Sequence, residues 1–108
     1  MAFYLVRATP REDRLEELAE KLSNDAFVDM EPFGRALTKG LCGARRLDDD
    51  RAGWEEEDYC DPPLAQEREA VLDRFFKHIE VEEVAEGEGW KRIASLPEVF
   101  PDACGPSR

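Results

Sequence analysis

The chain has few transition-metal ligands and no long hydrophobic run. It contains one histidine and three cysteines, Cys42, Cys60 and Cys104, and no two of the cysteines form a C-x-x-C pair. A zinc site needs clustered His and Cys ligands, so the sequence alone predicts no metal site and no cofactor. No apolar run approaches the roughly 20 residues that a transmembrane helix requires, and the N-terminus lacks the features of a secretory signal. We therefore expect a cytoplasmic protein, with no membrane partner and with reduced thiols.

Basic residues are outnumbered, with 15 Lys and Arg against 26 Asp and Glu, which gives a formal net charge of −11. Residues 48–61 hold eight acids and one base, and residues 80–88 hold five acids and no base. Nucleic-acid binding needs a basic face, so the sequence predicts no nucleic-acid partner. The basic residues Arg35, Lys39, Arg45 and Arg46 directly precede an acidic turn, and we expect them to match that charge internally.

Hydrophobic spacing and turn residues predict alternating strands and helices. The predicted strands are 3–8, 26–30, the two arms of a hairpin over 44–59, 79–85 and a short strand at 90–93; the predicted helices are 11–22 and 62–78; and the glycine-rich segment 33–43 is predicted to be a loop. Thr9 and Asp61 are predicted to cap the two helices, because each precedes a proline suited to a first helical turn. A bulge is expected at residues 82–83.

This order, β-α-β-(hairpin)-α-β, predicts an α+β two-layer sandwich, in which two amphipathic helices pack on one mostly antiparallel sheet. A ferredoxin-like plan is the closest standard arrangement. The strand FYLVRA and the helix RLEELAEKL that follows it resemble the start of the ferredoxin-like dimeric α/β-barrel proteins. The resemblance implies the ferredoxin-like fold and the option of forming a homodimer. It contains no functional motif, so it assigns no site residues. We expect one domain over residues 1–100 and an irregular, flexible tail over 101–108.

The two acidic segments predict a non-catalytic interaction or regulatory module that docks a basic protein surface, because clustered charge of one sign attracts the opposite sign. This hypothesis requires the acidic residues to form one exposed region. The partner-binding residues it nominates are Asp48, Asp49, Asp50, Glu55, Glu56, Glu57, Asp58, Glu80, Glu82 and Glu83.

The alternative hypothesis is a small ligand-binding protein or enzyme of the ferredoxin-like dimeric type. Its pocket would be lined by Trp54, Tyr59, Cys60, His78 and Trp90, although large aromatic residues in a small domain more often belong to the core. Cys60 precedes a predicted helix, whose dipole would activate the thiol, whereas the neighbouring carboxylates would oppose a thiolate. His78 has no nucleophile motif beside it, so no catalytic residue is nominated.

The acidic turn that begins at Asp48 resembles a calcium-binding loop in part. Asp50 and Gly53 match the third and sixth positions of an EF-hand loop, but Ala52 and Tyr59 stand where oxygen ligands are needed. The EF-hand pattern therefore fails. A less regular divalent-cation site could still use Asp48, Asp50 and Glu55. The sequence favours the simpler interpretation, in which these residues form an acidic turn exposed to solvent.

Overall fold

A four-stranded antiparallel sheet is the centre of the computed structural model, which describes residues 2–104. Its strands are β1 (Ala2–Pro10), β2 (Arg45–Arg46), β3 (Ala52–Asp58) and β4 (Phe76–Val84). They lie in the order β2-β3-β1-β4. The α+β class and the antiparallel sheet that the sequence predicts are therefore confirmed.

Four helices accompany the sheet. They are α1 (Leu15–Ser23, preceded by a 3₁₀ turn at Glu12–Arg14), α2 (Gly34–Cys42), α3 (residues 65–75, with a π-helical stretch at Arg68–Leu72) and α4 (Glu88–Ile93). Among residues 2–104, none of the helices is long and apolar enough to cross a membrane.

The main core lies on one face of the sheet, where helices α1, α2 and α3 pack. Val6 and Trp54 from the sheet meet Leu18 of α1, Leu41 of α2 and Leu72 of α3, and all five side chains are fully buried. Because strand side chains alternate between faces, the neighbour of Val6, Leu5, points the other way. There it packs in a smaller cluster with α4. The arrangement is compatible with a two-layer sandwich to which α4 adds partial cover on the second face.

Segment 33–43 was predicted to be a loop because glycine disfavours helices, and the structure corrects this to α2. A Cβ built on Gly34 would lie only 2.2 Å from the carbonyl oxygen of Phe27, and one on Gly40 only 2.6 Å from the ring of Trp54. These glycines let α2 approach its neighbours closely, so tertiary packing outweighs propensity. Residues 26–30, predicted to be a strand, form turns in which Phe27 is buried.

The predicted helix caps were also wrong. Strand β1 continues through Thr9 to Pro10, so Thr9 caps nothing. The second predicted helix begins at Ala65 rather than at Pro62, and its N-cap position is occupied by Leu64, not by Asp61. That helix ends at Phe75, and Phe76 already belongs to β4, where its ring lies 5.2 Å from that of Trp54.

The expected bulge lies elsewhere in β4. The pairing of β4 with β1 shifts register between Arg7 and Thr9, opposite an extra residue near His78, whose φ is 53°. The predicted bulge at residues 82–83 is absent from that pairing, because Glu82 and Glu83 pair regularly with Leu5 and Tyr4.

The thiols were predicted to be reduced, but Cys42 and Cys104 form a disulfide. Their Cα atoms lie 5.8 Å apart although 62 positions separate them in the chain. No sequence spacing could indicate a contact made only by the tertiary fold. Cys60 is free. The domain boundary at residue 100 stays a prediction, and residues 105–108 of the predicted tail lie outside the described residues.

Glu55 explains why residues 90–93 belong to a helix rather than to the predicted strand. Its buried carboxylate accepts hydrogen bonds from the backbone N–H groups of Gly87 (2.8 Å) and Gly89 (2.7 Å), at the start of α4. A carboxylate at a helix N-terminus satisfies N–H groups that have no partner within the helix.

We predict that Glu55→Gln lowers the free energy of unfolding by about 1–3 kcal/mol, because one charged acceptor of two buried N–H groups is lost. Urea denaturation followed by circular dichroism measures the change. Glu57→Gln is the control: Glu57 lies on the same face of β3, two residues on, and we expect a change within about 0.5 kcal/mol. Equal losses in the two variants would contradict the capping role.

Candidate functional site

The ten nominated acidic residues do not form one exposed surface. Asp48, Asp49 and Asp50 in the β2–β3 turn are exposed, as are Glu80 and Glu83 on β4, whereas Glu57 and Glu82 are half-buried. Glu55, Glu56 and Asp58 are buried. For these three residues the expectation of an exposed position is wrong. The reason is that helices cover this part of β3: β2 pairs only with Ala52 and Gly53, and beyond them β3 has β1 as its one strand neighbour, while α2 and α4 pack beside it.

Arginines within the molecule pair with several of the exposed acids. Arg51 contacts both Asp49 (2.7 Å) and Glu80 (3.0 Å). Glu82 is bridged by Arg7 and by Arg92, each at 2.9 Å. Arg46, which was expected to match the acidic turn, pairs instead with Glu12 through its side chain and donates to the backbone carbonyl of Asp50.

The five nominated pocket residues occupy separate environments. Trp54 is fully buried in the core, Tyr59 is 68% exposed, and His78 is exposed on β4. Trp90 lines a groove that contains none of the other four. Their convergence in a single pocket, which the alternative hypothesis requires, is therefore not observed. Two of the five, Trp54 and Cys60, contact buried glutamates: Trp54 donates to Glu56, and the sulfur of Cys60 lies near Glu67.

Cys60 belongs to a cluster of carboxyl groups at the end of β3. Trp54, Glu56 and Asp58 alternate along β3 and share the face that packs against the helices, because successive strand residues point to opposite sides. From α3, Glu67 joins them: ligand-type atoms of Asp58, Cys60 and Glu67 all lie within 4.8 Å of one another. We call Glu56, Asp58, Cys60 and Glu67 the carboxyl–thiol cluster.

Asp58 shapes the loop that carries Cys60. One of its oxygens, Oδ2, accepts hydrogen bonds from the backbone N–H of Cys60 (3.2 Å) and of Leu64 (2.5 Å). Leu64 is in the left-handed region, with φ 63°. By bonding to two backbone N–H groups of the loop between β3 and α3, Asp58 fixes the shape of that loop, in which the sulfur of Cys60 lies 3.9 Å from Glu67.

Glu56 and Glu67 are more deeply buried than Cys60, with 2% and 0% of their surfaces exposed. Glu56 accepts a hydrogen bond from the indole Nε1 of Trp54 at 2.9 Å through Oε1. The Oε2 atoms of Glu56 and Glu67 are also buried, and neither accepts a hydrogen bond from a donor among the described residues. Among the described residues, no lysine, arginine or histidine forms an ion pair with any carboxylate of the cluster. Within the described residues, the cluster therefore holds three carboxyl groups away from water without an ion-pair partner.

Burial raises the pKa of Glu56 well above its usual range, and the contact with the Glu67 carboxyl raises it further. The pKa of Glu67 is also raised, first by burial and then by Asp58, although its contact with Glu56 acts in the opposite direction. Two carboxyl groups in contact favour a shared proton, because two adjacent negative charges repel each other. The raised pKa of both groups therefore favours one protonated carboxyl in this pair over two adjacent carboxylates.

The thiol of Cys60 is not activated as the helix-dipole argument predicted. A backbone N–H of Gln66 lowers its pKa, but burial and the negative charges of Asp58 and Glu67 outweigh that effect, so the pKa is raised overall. Its sulfur lies 3.9 Å from Oε1 of Glu67. A raised pKa disfavours a nucleophilic thiolate at neutral pH, whereas a bound cation would favour one.

Glu67 was missed at the level of the sequence, although a signal for it exists. A helical stripe that joins Leu64 to Val71 passes through either Glu67 or Arg68, and Arg68 is exposed. Glu67 lies three residues after Leu64 and four before Val71, which is the spacing of one helix face. A carboxylate on the buried stripe of a helix was the available clue.

Comparison with known proteins adds no assignment, because no family model, no curated protein and no solved structure matches this chain.

We predict that the metal-free protein loses stability as the pH rises from about 5 to 8, because a carboxyl group whose pKa is raised by folding stabilises the folded state only while it is protonated. Carboxylates with lowered pKa, such as Glu82 and Glu88, are ionised throughout this range, so the change in stability that they cause lies at lower pH. Glu56→Gln should remove most of the decline and stabilise the protein at pH 8 by about 1–3 kcal/mol.

Urea denaturation in the presence of EDTA, repeated across this pH range, tests the prediction. Glu69→Gln, an exposed change on α3 two residues from Glu67, should keep the decline of the unchanged protein. The shared-proton assignment fails when Glu56→Gln and Glu69→Gln give parallel pH profiles.

Proposed function

We propose that this protein binds a divalent metal cation of borderline softness, of the Zn²⁺ type, through Asp58, Cys60 and Glu67. One observation carries the proposal: the buried Oε2 atom of Glu67 accepts no hydrogen bond from a described residue. This oxygen belongs to a cluster of metal-ligating groups that contains no basic side chain. Buried carboxylates are stable when they are protonated, paired or bound to a metal. A cation would satisfy this oxygen and the remaining negative charge together.

The kinds of ligand atom favour this type of ion. Two carboxylate oxygens and one thiolate combine hard and soft donors, which suits Zn²⁺ better than Ca²⁺ or Mg²⁺, whose ligands are oxygen atoms. At Zn–S and Zn–O distances of about 2.3 and 2.1 Å, ligand atoms in a tetrahedron lie roughly 3.5 Å apart. The cluster, whose ligand atoms lie within 4.8 Å of one another, needs a contraction of about 1 Å to reach that geometry.

Glu56 has a supporting role in this proposal. The indole of Trp54 holds one of its oxygens, and the other faces Glu67. Groups that hydrogen-bond a metal ligand orient that ligand and tune its basicity. Three protein ligands leave one tetrahedral position for water or for a substrate, and half-buried Cys60 is the member of the cluster nearest to solvent.

Metal titration tests the proposal directly. Protein treated with EDTA and then dialysed should gain thermal stability when Zn²⁺ is added, and Co²⁺ should give a thiolate-to-metal charge-transfer band. Cys60→Ser should abolish that band, and Glu67→Gln should raise the Kd for Zn²⁺ by about tenfold or more, which corresponds to about 1.4 kcal/mol. The affinity should increase with pH, because the ligands must lose protons before they bind.

Glu69→Gln is the matched control and should bind Zn²⁺ as the unchanged protein does. No stabilisation by Zn²⁺, or equal affinity in Cys60→Ser and Glu69→Gln, would overturn the proposal. In that event the shared proton alone explains the buried carboxyl groups.

Docking of a basic protein surface is a second proposal, favoured by one specific observation. Arg51 bridges Asp49 and Glu80, so the acidic turn and β4 share one region of the surface. Asp48 and Asp50 are exposed in that region and form no ion pair with another described residue. This region contains fewer charges than the sequence predicted.

We expect binding to poly-lysine, used as the probe, to weaken as the salt concentration rises, because salt screens exposed charges. The double variant Asp48→Asn/Asp50→Asn should reduce the affinity by more than Asp29→Asn/Glu31→Gln, which removes two exposed charges elsewhere. If the two double variants reduce the affinity for poly-lysine equally, the net charge of the chain alone explains the binding. That result would reject a docking region.

A ferredoxin-like plan, a homodimer and a cytoplasmic location remain predictions. The strand order β2-β3-β1-β4, with helices in both long connections, supports the first. The Cys42–Cys104 disulfide argues against the cytoplasmic location, because disulfides persist mainly in oxidising environments.

A further inference from the structure

A groove of about 840 Å³ lies outside the carboxyl–thiol cluster. It is bordered by the exposed side of α2, by Arg45 of β2, by Trp90 of α4 and by residues near the disulfide, including Pro101. Its volume falls within the range of small-molecule binding sites, roughly 300–1,000 Å³.

Three cationic side chains line this groove: Arg35, Lys39 and Arg45. Arg35 and Lys39 lie four residues apart on α2 and therefore share one helix face. Among the described residues, none of the three pairs with a carboxylate, although Arg7, Arg51 and Arg92 each do. Glu98 is the one acid that lines the groove.

The absence of carboxylate partners is notable in a chain with 26 acids and 15 bases. Arg45 is nevertheless held in place, because its Nη1 donates to the carbonyl oxygens of Ala94 (3.3 Å) and Leu96 (2.8 Å). Neutral carbonyl partners leave the positive charge of the guanidinium uncompensated.

The apolar part of the groove is held in position by packing and by a covalent bond. The indole of Trp90 lies so close to Gly43 that a Cβ built there would be 2.8 Å from the ring. The disulfide joins the end of α2, at Cys42, to Cys104, and both cysteines line the groove. An indole beside cationic side chains suits a ligand with a flat apolar body and a negative group.

We infer that this groove binds a small organic anion, with its charge near Arg35, Lys39 and Arg45 and its apolar body against Trp90. A small ligand is favoured over an acidic macromolecule because the chain carries a net charge of −11, which repels a large polyanion. A molecule with one to three charges meets only the local positive field of the groove.

The anionic dye 1-anilino-8-naphthalenesulfonate, which joins flat aromatic rings to one sulfonate, is the probe for this inference. We expect one dye to bind per folded chain, with an affinity that falls as the salt concentration rises. The double variant Arg35→Gln/Lys39→Gln should raise the Kd of the dye by about tenfold. EDTA is present throughout, so the result does not depend on the metal proposal.

Lys77→Gln/Lys91→Gln is the matched control, because it removes two exposed positive charges that do not line the groove. It should bind the dye with the affinity of the unchanged protein, and circular dichroism should show all three proteins folded. The same Kd in both double variants, or an affinity independent of salt, means an adventitious hydrophobic contact only and overturns the inference.

Discussion

Strand β3 carries Glu55, Glu56 and Asp58 into the interior, and the free energy cost of removing carboxylates from water shapes the structure around them. A buried ionised group must find hydrogen-bond donors, a cation or a proton. For Glu55, the donors are backbone N–H groups at the start of α4; for Asp58, they are N–H groups of the loop before α3. Two of the chain's connections are therefore organised by carboxylates of a single strand.

Glu56 differs from these two residues because the indole of Trp54 satisfies only one of its oxygens. The group it faces is another carboxyl, that of Glu67, rather than a donor with a fixed proton. This pair is less favourable than a backbone cap unless a proton or a cation joins it. A fold could fill the same space with apolar side chains at lower cost, so the retention of two carboxyl groups is the physical reason to look for a ligand here.

The sequence predicts the elements whose signals are local and loses those that depend on tertiary contacts. Strand β1, the hairpin and helix α1 follow from period, turn residues and composition, and each is present. Helix α2 was missed because Gly34 and Gly40 read as helix breakers, although each glycine allows a close approach that no local pattern encodes. Helix α4 was missed for a similar reason, since its N-terminal donors are satisfied by Glu55, more than thirty positions earlier.

The candidate site was half visible in the sequence. Cys60 was singled out, and Glu56 and Asp58 were named, but as exposed charges, because glutamate is disfavoured in strands that are buried. What composition cannot supply is the side to which each carboxylate points. Alternation along β3 sends Glu56 and Asp58 inward with Trp54, and only the packing of α3 brings Glu67 to meet them.

The acidic excess consequently divides into three populations with different physical roles. Some carboxylates are buried, where they accept hydrogen bonds or have a raised pKa; others form ion pairs with arginines such as Arg7, Arg51 and Arg92; and the rest, such as Asp48 and Asp50, are exposed. The formal net charge of −11 is therefore spread unevenly over the surface. The cations of the groove, which form no ion pair with a described carboxylate, create a local positive field that the total charge conceals.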